Sequence, residues 1–223
     1  VAYKPDAICL QEVNLEPKGK AAAHQQTVRS EFARLGYDVH YRSPPEGEKK
    51  WRKGVMICVR RGSILAKDGA VLMPAEPWDD EGRVLEWRTP NIMRLFCCYL
   101  PTPTTNGDRY ATRARYDEKI SDLLSLPNTP PVVLAGDLNV TAGTDPLEAS
   151  APLNGLHYRE SRARFRRLLD EHRLVDVLRR ARPEDQVYTS FQHQRSAGPT
   201  PPPARGDFIL AHETCFVPPR DET

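Results

Sequence analysis

The sequence predicts a layered α/β fold with mixed β-sheets. Short apolar runs typical of strands outnumber the amphipathic helices, and the two kinds of segment alternate irregularly along the chain. A regular doubly wound fold would alternate strands and helices one by one. A chain of 223 residues can bury its own core, so a single domain over residues 1–223 is expected.

Composition points to an ordinary soluble, intracellular protein. Hydrophobic residues make up 39% and charged residues 28% of the chain, and no apolar run is long enough to span a bilayer. Neither a membrane protein nor a secreted one is expected, because no secretory signal is visible. The five cysteines lie mostly in apolar runs without metal-binding spacing, which predicts reduced, buried thiols.

The first half of the chain alternates apolar strands with one helix. Residues 7–10 form a short apolar strand, and residues 20–35 carry an apolar stripe at helical spacing that ends at Gly36. Residues 37–41 alternate like a strand, and residues 55–59 form a buried strand entered through Gly54. Two further strands, over residues 83–88 and 93–100, flank a Thr-Pro-Asn turn and predict a hairpin.

The second half contains two amphipathic helices among further strands. The period predicts helices over residues 109–126 and 160–173. Residues 174–178 close the unit of the second helix. Strands are predicted over residues 132–135, 188–191 and 207–211, with a Pro-rich loop over 194–204 before the last strand.

Residues 132–140 carry the strongest sign of a functional site. Their apolar run suits a strand buried on both faces, and Gly136 then permits a tight turn or a close approach. Asp137 and Asn139 alternate with Leu138, so their side chains leave the strand end on the same side. A carboxylate beside an amide suits a hard cation, an attacking water or both. A simple Asx-type turn is the alternative for this pair alone.

Polar side chains also stand at the ends of other predicted strands. Residues 7–10 lead into Gln11 and Glu12, the strand over residues 93–100 delivers Tyr99, and Asp207 begins the last strand. A sandwich gathers strand ends into one cleft, so the repeated pattern indicates a shared site. A loop carboxylate at Glu12 and a core aromatic at Tyr99 are the structural alternatives.

The ordered motifs resemble the endonuclease/exonuclease/phosphatase superfamily, and most of all its exonuclease III-like apurinic/apyrimidinic endonucleases. The motifs run Pro5–Glu12, Glu81–Val84, Tyr99–Pro101, Gly136–Val140, Tyr188–Thr189 and Arg205–Leu210, with Arg113–Asp117 and Leu174–Asp176 as supporting segments. This resemblance implies a DNase I-like four-layer α/β sandwich, with two mixed β-sheets face to face and helices outside.

The resemblance also implies roles for individual residues. Glu12 matches the carboxylate that holds the catalytic Mg²⁺, with Mn²⁺ as an alternative ion, and Asp137 and Asn139 complete the implied metal site. Tyr99 matches a tyrosine that contacts the attacked phosphate. Asp137 matches the residue that activates the attacking water, with Asn139 beside it, and Asp207 matches a carboxylate that orients a histidine. Tyr99, Asp137, Asn139 and Asp207 are therefore the expected catalytic set.

Arginines supply the expected nucleic-acid contacts. Arg159 and Arg162 belong to an arginine cluster before and within the second long helix. Arg205 begins the last motif, and Arg109 lies in the first long helix. We predict that Arg109, Arg159, Arg162 and Arg205 bind the nucleic acid, with DNA favoured over RNA. A solvated helix face is the alternative for the cluster, since the net charge of +2 is weak evidence for a polyanion partner.

The sequence departs from the family at both ends. An Asn-bearing first strand and a terminal Ser-Asp-His motif are not found, so we expect residues 1–223 to be one domain that lacks the first and last core strands of the family. Thr102, Gly206, Ser190 and Phe191 also depart from residues common in abasic-site enzymes, which puts substrate preference in question more than reaction type.

Three functions remain open from the sequence. The first is Mg²⁺-dependent phosphodiester hydrolysis, as an abasic-site endonuclease or 3′-repair exonuclease acting in the nucleus or the mitochondrion. The second is a sibling activity, RNA 3′-exonuclease or deadenylase-like, which the Leu10–Val13 segment also resembles. The third is a catalytically inactive structural subunit of a larger nucleoprotein assembly.

Overall fold

The computed structural model describes residues 4–14, 20–42, 53–103, 107–127, 129–141, 156–185 and 205–216. The strands are β1 (Ala7–Val13), β2 (Tyr37–Arg42), β3 (Gly54–Arg60), β4 (Val71–Leu72), β5 (Val84–Thr89), β6 (Met93–Tyr99), β7 (Val132–Asp137), β8 (Leu174–Asp176) and β9 (Asp207–His212). The helices are α1 (Lys20–Arg34), α2 (Gly107–Leu124), α3 (Leu156–Glu171) and α4 (Val177–Ala181), with short 3₁₀ turns at Ile64–Ala66 and Glu213–Cys215.

The strands form two sheets. The small sheet has the order β1-β3-β2, and both of its pairings are antiparallel. The large sheet has the order β4-β5-β6-β7-β9-β8, in which β6 and β7 run parallel and every other pair is antiparallel. The prediction of mixed sheets holds for the large sheet. The small sheet is antiparallel throughout its described strands.

The two sheets pack face to face on an apolar layer. Alternate residues of β3, namely Val55, Ile57 and Val59, point from the small sheet into this layer. Leu85 and Trp87 of β5, with Leu95 and Cys97 of β6, meet them from the large sheet. Because each sheet turns one face toward the same core, these positions alternate strictly along their strands.

Helices cover the outer face of each sheet. Met56 and Cys58, the other residues of β3, form a second cluster with Val28 and Phe32 of α1. On the large sheet, a third cluster joins Phe96, Cys98, Leu134, Phe208 and Leu210 to Tyr116 and Ile120 of α2 and Phe165 of α3. The order helix, sheet, sheet, helix confirms the predicted four-layer α/β sandwich.

The predicted elements agree with the observed ones to within a few residues, except that the two-residue strand β4 is not predicted. Residues 174–178, which the sequence places at the close of a helical unit, divide into β8, which ends at Asp176, and α4, which starts at Val177. The cause is a helix cap, because the Asp176 carboxylate accepts a hydrogen bond of 3.1 Å from the backbone N–H of Arg179. The predicted strand over residues 188–191 lies outside the described residues.

A buried ion pair stabilises the large sheet at the start of β6. Arg94 at the start of β6 is fully buried. It donates to the Glu86 carboxylate at 2.7 Å and to the backbone carbonyl of Leu123 at 2.8 Å, so β6, β5 and the end of α2 are tied together.

All five cysteines are free, as expected, although Cys215 is exposed. Among the described residues, no helix has the length and apolar character needed to cross a membrane.

Candidate active site

The ends of four strands meet at one edge of the sandwich. Parallel pairing of β6 with β7 sets Tyr99 beside Asp137, and antiparallel pairing of β7 with β9 sets Asp207 on the other side of Asp137. Glu12 reaches this row from the small sheet, where its carboxylate accepts a hydrogen bond of 3.0 Å from the Tyr99 hydroxyl. The structure thus brings the five predicted catalytic and metal-binding side chains, which include Asn139, to a single edge.

Gly136 allows β7 to approach β6 just before Asp137. Its φ is +144°, and a Cβ atom placed there would lie 1.9 Å from the carbonyl oxygen of Cys98. Only glycine fits this backbone. Gly206 plays a related part, because a Cβ atom there would lie 3.2 Å from Oδ1 of Asp137. The absence of a side chain at Gly206, one of the departures in the sequence, leaves room for the carboxylate.

Asn139 holds the Asp137 carboxylate from two sides. Its backbone N–H donates to Oδ1 of Asp137 at 2.9 Å, and its side-chain Nδ2 donates to Oδ2 at 3.1 Å. The same Nδ2 donates to the carbonyl of Leu100 at 2.9 Å. Asn139 adopts a φ of +47°, a left-handed conformation that asparagine tolerates better than most residues. The amide oxygen is the group that this arrangement leaves for a cation.

The surroundings of the Asp137 carboxyl raise its pKa. Burial raises its pKa to about 6, and the negative charges of Asp207 and Glu12 act in the same direction. The backbone hydrogen bond from Asn139 and the charge of Arg113 oppose the shift. A carboxylate with a pKa close to the working pH is suited to accept a proton from a water molecule.

Glu12 lies between a tyrosine and a lysine. The Lys53 ammonium forms an ion pair with Oε2 of Glu12 and is the main cause of the lowered pKa of that carboxyl. Burial, reinforced by the hydrogen bond to Glu12, raises the pKa of Tyr99 to about 12. The phenol therefore stays protonated at neutral pH and acts as a hydrogen-bond donor.

Arg83 also belongs to this edge, although the sequence analysis assigns no role to it. Its Nη1 donates to the carbonyl of Tyr99 at 3.0 Å, and its guanidinium carbon lies 4.8 Å from the centroid of the Tyr99 ring. Glu81 pairs with the guanidinium on its other side. The signal available in the sequence was the Glu-Gly-Arg segment, which is one of the family motifs.

The four predicted nucleic-acid contacts differ in their environment. Arg109 and Arg159 are exposed on α2 and α3. Arg162 is only 7% exposed and donates to the Thr141 hydroxyl. Arg205 is 1% exposed, pairs with the Asp176 carboxylate and lies over the Phe208 ring. Of the four, Arg109 and Arg159 are therefore the ones that solvent, and a ligand, can reach.

The oxygen atoms at this edge suit a hard cation. Among the described residues, no three His, Cys, Asp or Glu side chains form a ready-made metal cage. Mg²⁺ does not require one, since it binds through one or two carboxylates and keeps several waters. Glu12 and Asp137 supply carboxylates, and Asn139 supplies an amide oxygen. These donors, together with the carboxylate repulsion that raises the pKa of Asp137, fit a divalent ion.

Sequence comparison assigns the chain to a family. Residues 1–221 match the Endonuclease/Exonuclease/phosphatase family. The chain belongs to the endonuclease/exonuclease/phosphatase family. This family is made of hydrolytic enzymes that generally depend on a divalent metal, so the chain is a nuclease- or phosphatase-type enzyme. No curated relative matches it in sequence.

Solved structures agree with this family fold. An AP endonuclease from Archaeoglobus fulgidus superposes with a TM-score of 0.65 at 22% identity, covering 93% of this chain and 76% of that one. The AP endonuclease LMAP from Leishmania major gives 0.64 at 20% identity, with 94% and 70% covered. The 3′ phosphatase NExo from Neisseria, bound to a product DNA hairpin, gives 0.62 at 24% identity, with 94% and 77% covered. At these identities the likeness establishes the fold.

Proposed function

We propose that this endonuclease/exonuclease/phosphatase enzyme is a Mg²⁺-dependent nuclease that cleaves phosphodiesters in DNA at abasic sites or blocked 3′ ends. The observation that carries the proposal is the setting of Asp137. It is a carboxyl with a pKa of about 6, held from two sides by Asn139 and flanked by Glu12 and Asp207. Such a group suits the activation of water beside a bound cation.

Each residue has a distinct part in this proposal. Glu12, Asp137 and Asn139 would hold Mg²⁺, which would stabilise the negative charge on the phosphate oxygens. Asp137 accepts the proton of the attacking water at a carboxylate oxygen, and Asn139 fixes the orientation of that carboxylate. The Tyr99 hydroxyl remains protonated and donates to an oxygen of the attacked phosphate or to Glu12. Burial is the main cause of the raised pKa of Asp137, and the carboxylate of Asp207 beside it adds to the effect.

DNA is favoured as the substrate because two of the solved structures are AP endonucleases and a third is a 3′ phosphatase bound to a DNA hairpin. The exposed Arg109 and Arg159 are proposed to contact its phosphates. RNA as a substrate, and assembly into a nucleoprotein complex, are alternatives that a comparison of substrates distinguishes. Action in the nucleus or the mitochondrion stays a prediction from this function.

The test compares three substrates under identical conditions. We expect the protein to nick a duplex with one abasic site, or to process a duplex with a 3′-phosphate, faster than it trims single-stranded RNA. Removal of divalent ions with EDTA is expected to stop turnover, and added Mg²⁺ to restore it. Glu12→Gln should lower turnover on the order of 100-fold or more, while Glu118→Gln on the exposed surface of α2 should leave it unchanged.

Other results would point elsewhere. Faster trimming of RNA would support the RNA 3′-exonuclease or deadenylase-like sibling. Salt-dependent binding without Mg²⁺-dependent turnover of any substrate would support the structural subunit and remove the nuclease proposal.

Lys53 is expected to compete with the metal for Glu12. Because its ammonium already pairs with the Glu12 carboxylate, a cation must displace it. An exposed pair of this kind is worth up to about 1 kcal/mol, so Lys53→Met should tighten Mg²⁺ binding by up to about fivefold. Isothermal titration calorimetry measures this, with Lys119→Met, which removes the exposed pair with Asp122, as the control. Weaker or unchanged Mg²⁺ affinity in Lys53→Met would contradict the competition.

The expectation of a single domain that lacks the first and last core strands stays a prediction. Two features of the described residues support it. β1 pairs on one side only, with β3. Beside its other edge lies an apolar groove of about 520 Å³, lined by residues such as Cys9 and Val133, where Ile209 is 54% exposed. A further strand next to β1 would cover this face of the large sheet.

A further inference from the structure

A buried arginine of α2 connects the two loops that carry the candidate site. Arg113 has no exposed surface. Its Nη1 atom donates to the backbone carbonyl of Pro101 at 2.9 Å and to that of Leu138 at 2.7 Å, with a longer contact of 3.5 Å to the carbonyl of Asn139. Pro101 follows Tyr99 by two residues in the chain. One guanidinium thus binds the segments after β6 and after β7 at once.

The guanidinium is itself fixed by two helices. Its Nε donates at 2.8 Å to Oδ1 of Asp117, one turn further along α2. The other oxygen of Asp117 accepts a hydrogen bond of 2.9 Å from Nε of Arg164, which extends from α3. The Asp117 carboxylate therefore compensates the buried charge of Arg113, and the contacts from both helices fix the orientation of the guanidinium plane.

The backbone that Arg113 holds needs external support. Asn139 has a φ of +47°, and such conformations persist only where the surroundings fix them. Asn139 also depends on the neighbouring loop, because its Nδ2 donates both to Leu100 and to Asp137. A change in the distance between the two loops would break one of these bonds, and the Asp137 carboxylate would lose its orientation.

We propose that Arg113 is a positioning residue: by holding the carbonyls of Pro101 and Leu138 together, it fixes the separation of the Tyr99 and Asp137 loops and so aligns Asn139 with Asp137. This inference rests on the proposed function for its consequence in catalysis. It does not require Arg113 to touch the substrate. The Arg113–Asp117 segment supports the family resemblance, but the sequence alone does not show which backbone groups the Arg113 guanidinium contacts.

The experiment compares Arg113→Lys with Arg94→Lys. Arg94 is an equally buried arginine that also joins a carboxylate to a backbone carbonyl, but it lies at the opposite end of β6. Both changes keep the charge and remove the planar fork of donors. The readouts are kcat and KM on the preferred DNA substrate, the melting temperature, and amide hydrogen exchange of Leu100, Thr102 and residues 137–140.

We expect Arg113→Lys to lower kcat by roughly 10- to 100-fold, with KM changed less than about threefold, because misalignment by a fraction of an ångström impairs the chemical step. Exchange should accelerate in both loop segments. Arg94→Lys should lower the melting temperature similarly, while kcat and exchange at the two loops stay at the wild-type level. If Arg113→Lys does not fold, Asp117→Asn provides a second test, because it weakens the hydrogen bond that Nε of Arg113 donates to Asp117. Asp117→Asn should then accelerate amide hydrogen exchange in the same two segments.

The proposal would be overturned by unchanged loop exchange and kcat in Arg113→Lys. It would also fail if Arg94→Lys lost as much kcat and loop protection, since the effect would then be general destabilisation. If the wild-type protein hydrolyses no substrate, the proposed function fails by itself, and the exchange comparison still decides whether Arg113 fixes the two loops.

Discussion

Replacing Asp137 with asparagine is expected to abolish hydrolysis and to make the metal-free protein more stable. Loss of a general base typically lowers the rate by about 10²- to 10⁴-fold, and loss of a metal ligand adds to it. The stability gain follows from the position of the carboxylate, which burial and the charges of Asp207 and Glu12 destabilise. An uncharged amide of the same shape avoids that repulsion, at the cost of one of the two hydrogen bonds that Asn139 donates to the Asp137 carboxylate.

The pH dependence of this gain has a definite sign. The pKa of Asp137 is raised from 3.8 to about 6 in the folded protein, so the folded state holds the proton more tightly than the unfolded chain does. The ionised carboxylate therefore lowers the free energy of unfolding by its full amount above pH 6, and this destabilisation disappears as the pH falls toward 4. A shift of this size, discounted for the partly exposed carboxylate, corresponds to roughly 1–2 kcal/mol at pH 7.

Calorimetry in EDTA at pH 7 and at pH 4.5 measures the effect. We expect Asp137→Asn to melt a few degrees higher than the wild type at pH 7, with the difference mostly gone at pH 4.5. Asp80→Asn, which removes an exposed partner of Arg115, serves as the control. A lower melting temperature at pH 7, or retained hydrolysis, would contradict the role given to Asp137.

Gly136→Ala is expected to have the largest effect on folding of any single change at this edge. The new methyl group would lie 1.9 Å from the carbonyl oxygen of Cys98, so β6 and β7 would have to separate where they pair in parallel. We expect a loss on the order of 4 kcal/mol in the free energy of unfolding. Tyr99 and Asp137 stand on these two strands, so hydrolysis should fall with it.

Gly36→Ala is the control that separates the energetic cost of a steric clash from the cost of a positive φ. Gly36 also has a positive φ, of +90°, but a Cβ atom added there would have no other atom within 4 Å. Only the conformational cost of about 1–2 kcal/mol should remain. Urea denaturation of both variants gives the comparison. Equal losses in the two variants would show that the close approach of the strands at Gly136 is not what requires glycine.

The fold could be predicted from the sequence because its strands are strongly patterned. The apolar runs over residues 132–135 and 55–59 both indicate buried strands, and the structure places both runs in buried strands as expected. Weak or competing local signals explain the failures. Val71–Leu72 is a two-residue strand with both side chains exposed, so no burial pattern marks it. At Asp176 the capping carboxylate ends β8, and an apolar run alone does not show where such a cap acts.

The candidate site was predictable where its residues stand at strand ends. Glu12, Tyr99, Asp137 and Asp207 are predicted in this way, and pairing between β6, β7 and β9 brings the last three into one row. The roles of the arginines were harder to predict from the sequence. The sequence shows the charge of an arginine but not the partner that it meets in the fold. Arg205 is buried against Asp176, and Arg113 lies beneath the loops of the site.

Two backbone angles of this edge bear on how the enzyme can be engineered. Glu12 and Asn139 both have positive φ, at +57° and +47°. For a residue like glutamate, such an angle costs on the order of 1 kcal/mol, and glycine would relieve it. Directed evolution that selects for heat resistance alone should therefore favour Glu12→Gly and Asp137→Asn, which we expect to abolish activity if the proposed roles of these residues hold. A library screened for thermostability needs a parallel screen for turnover to avoid enriching well-folded but inactive variants.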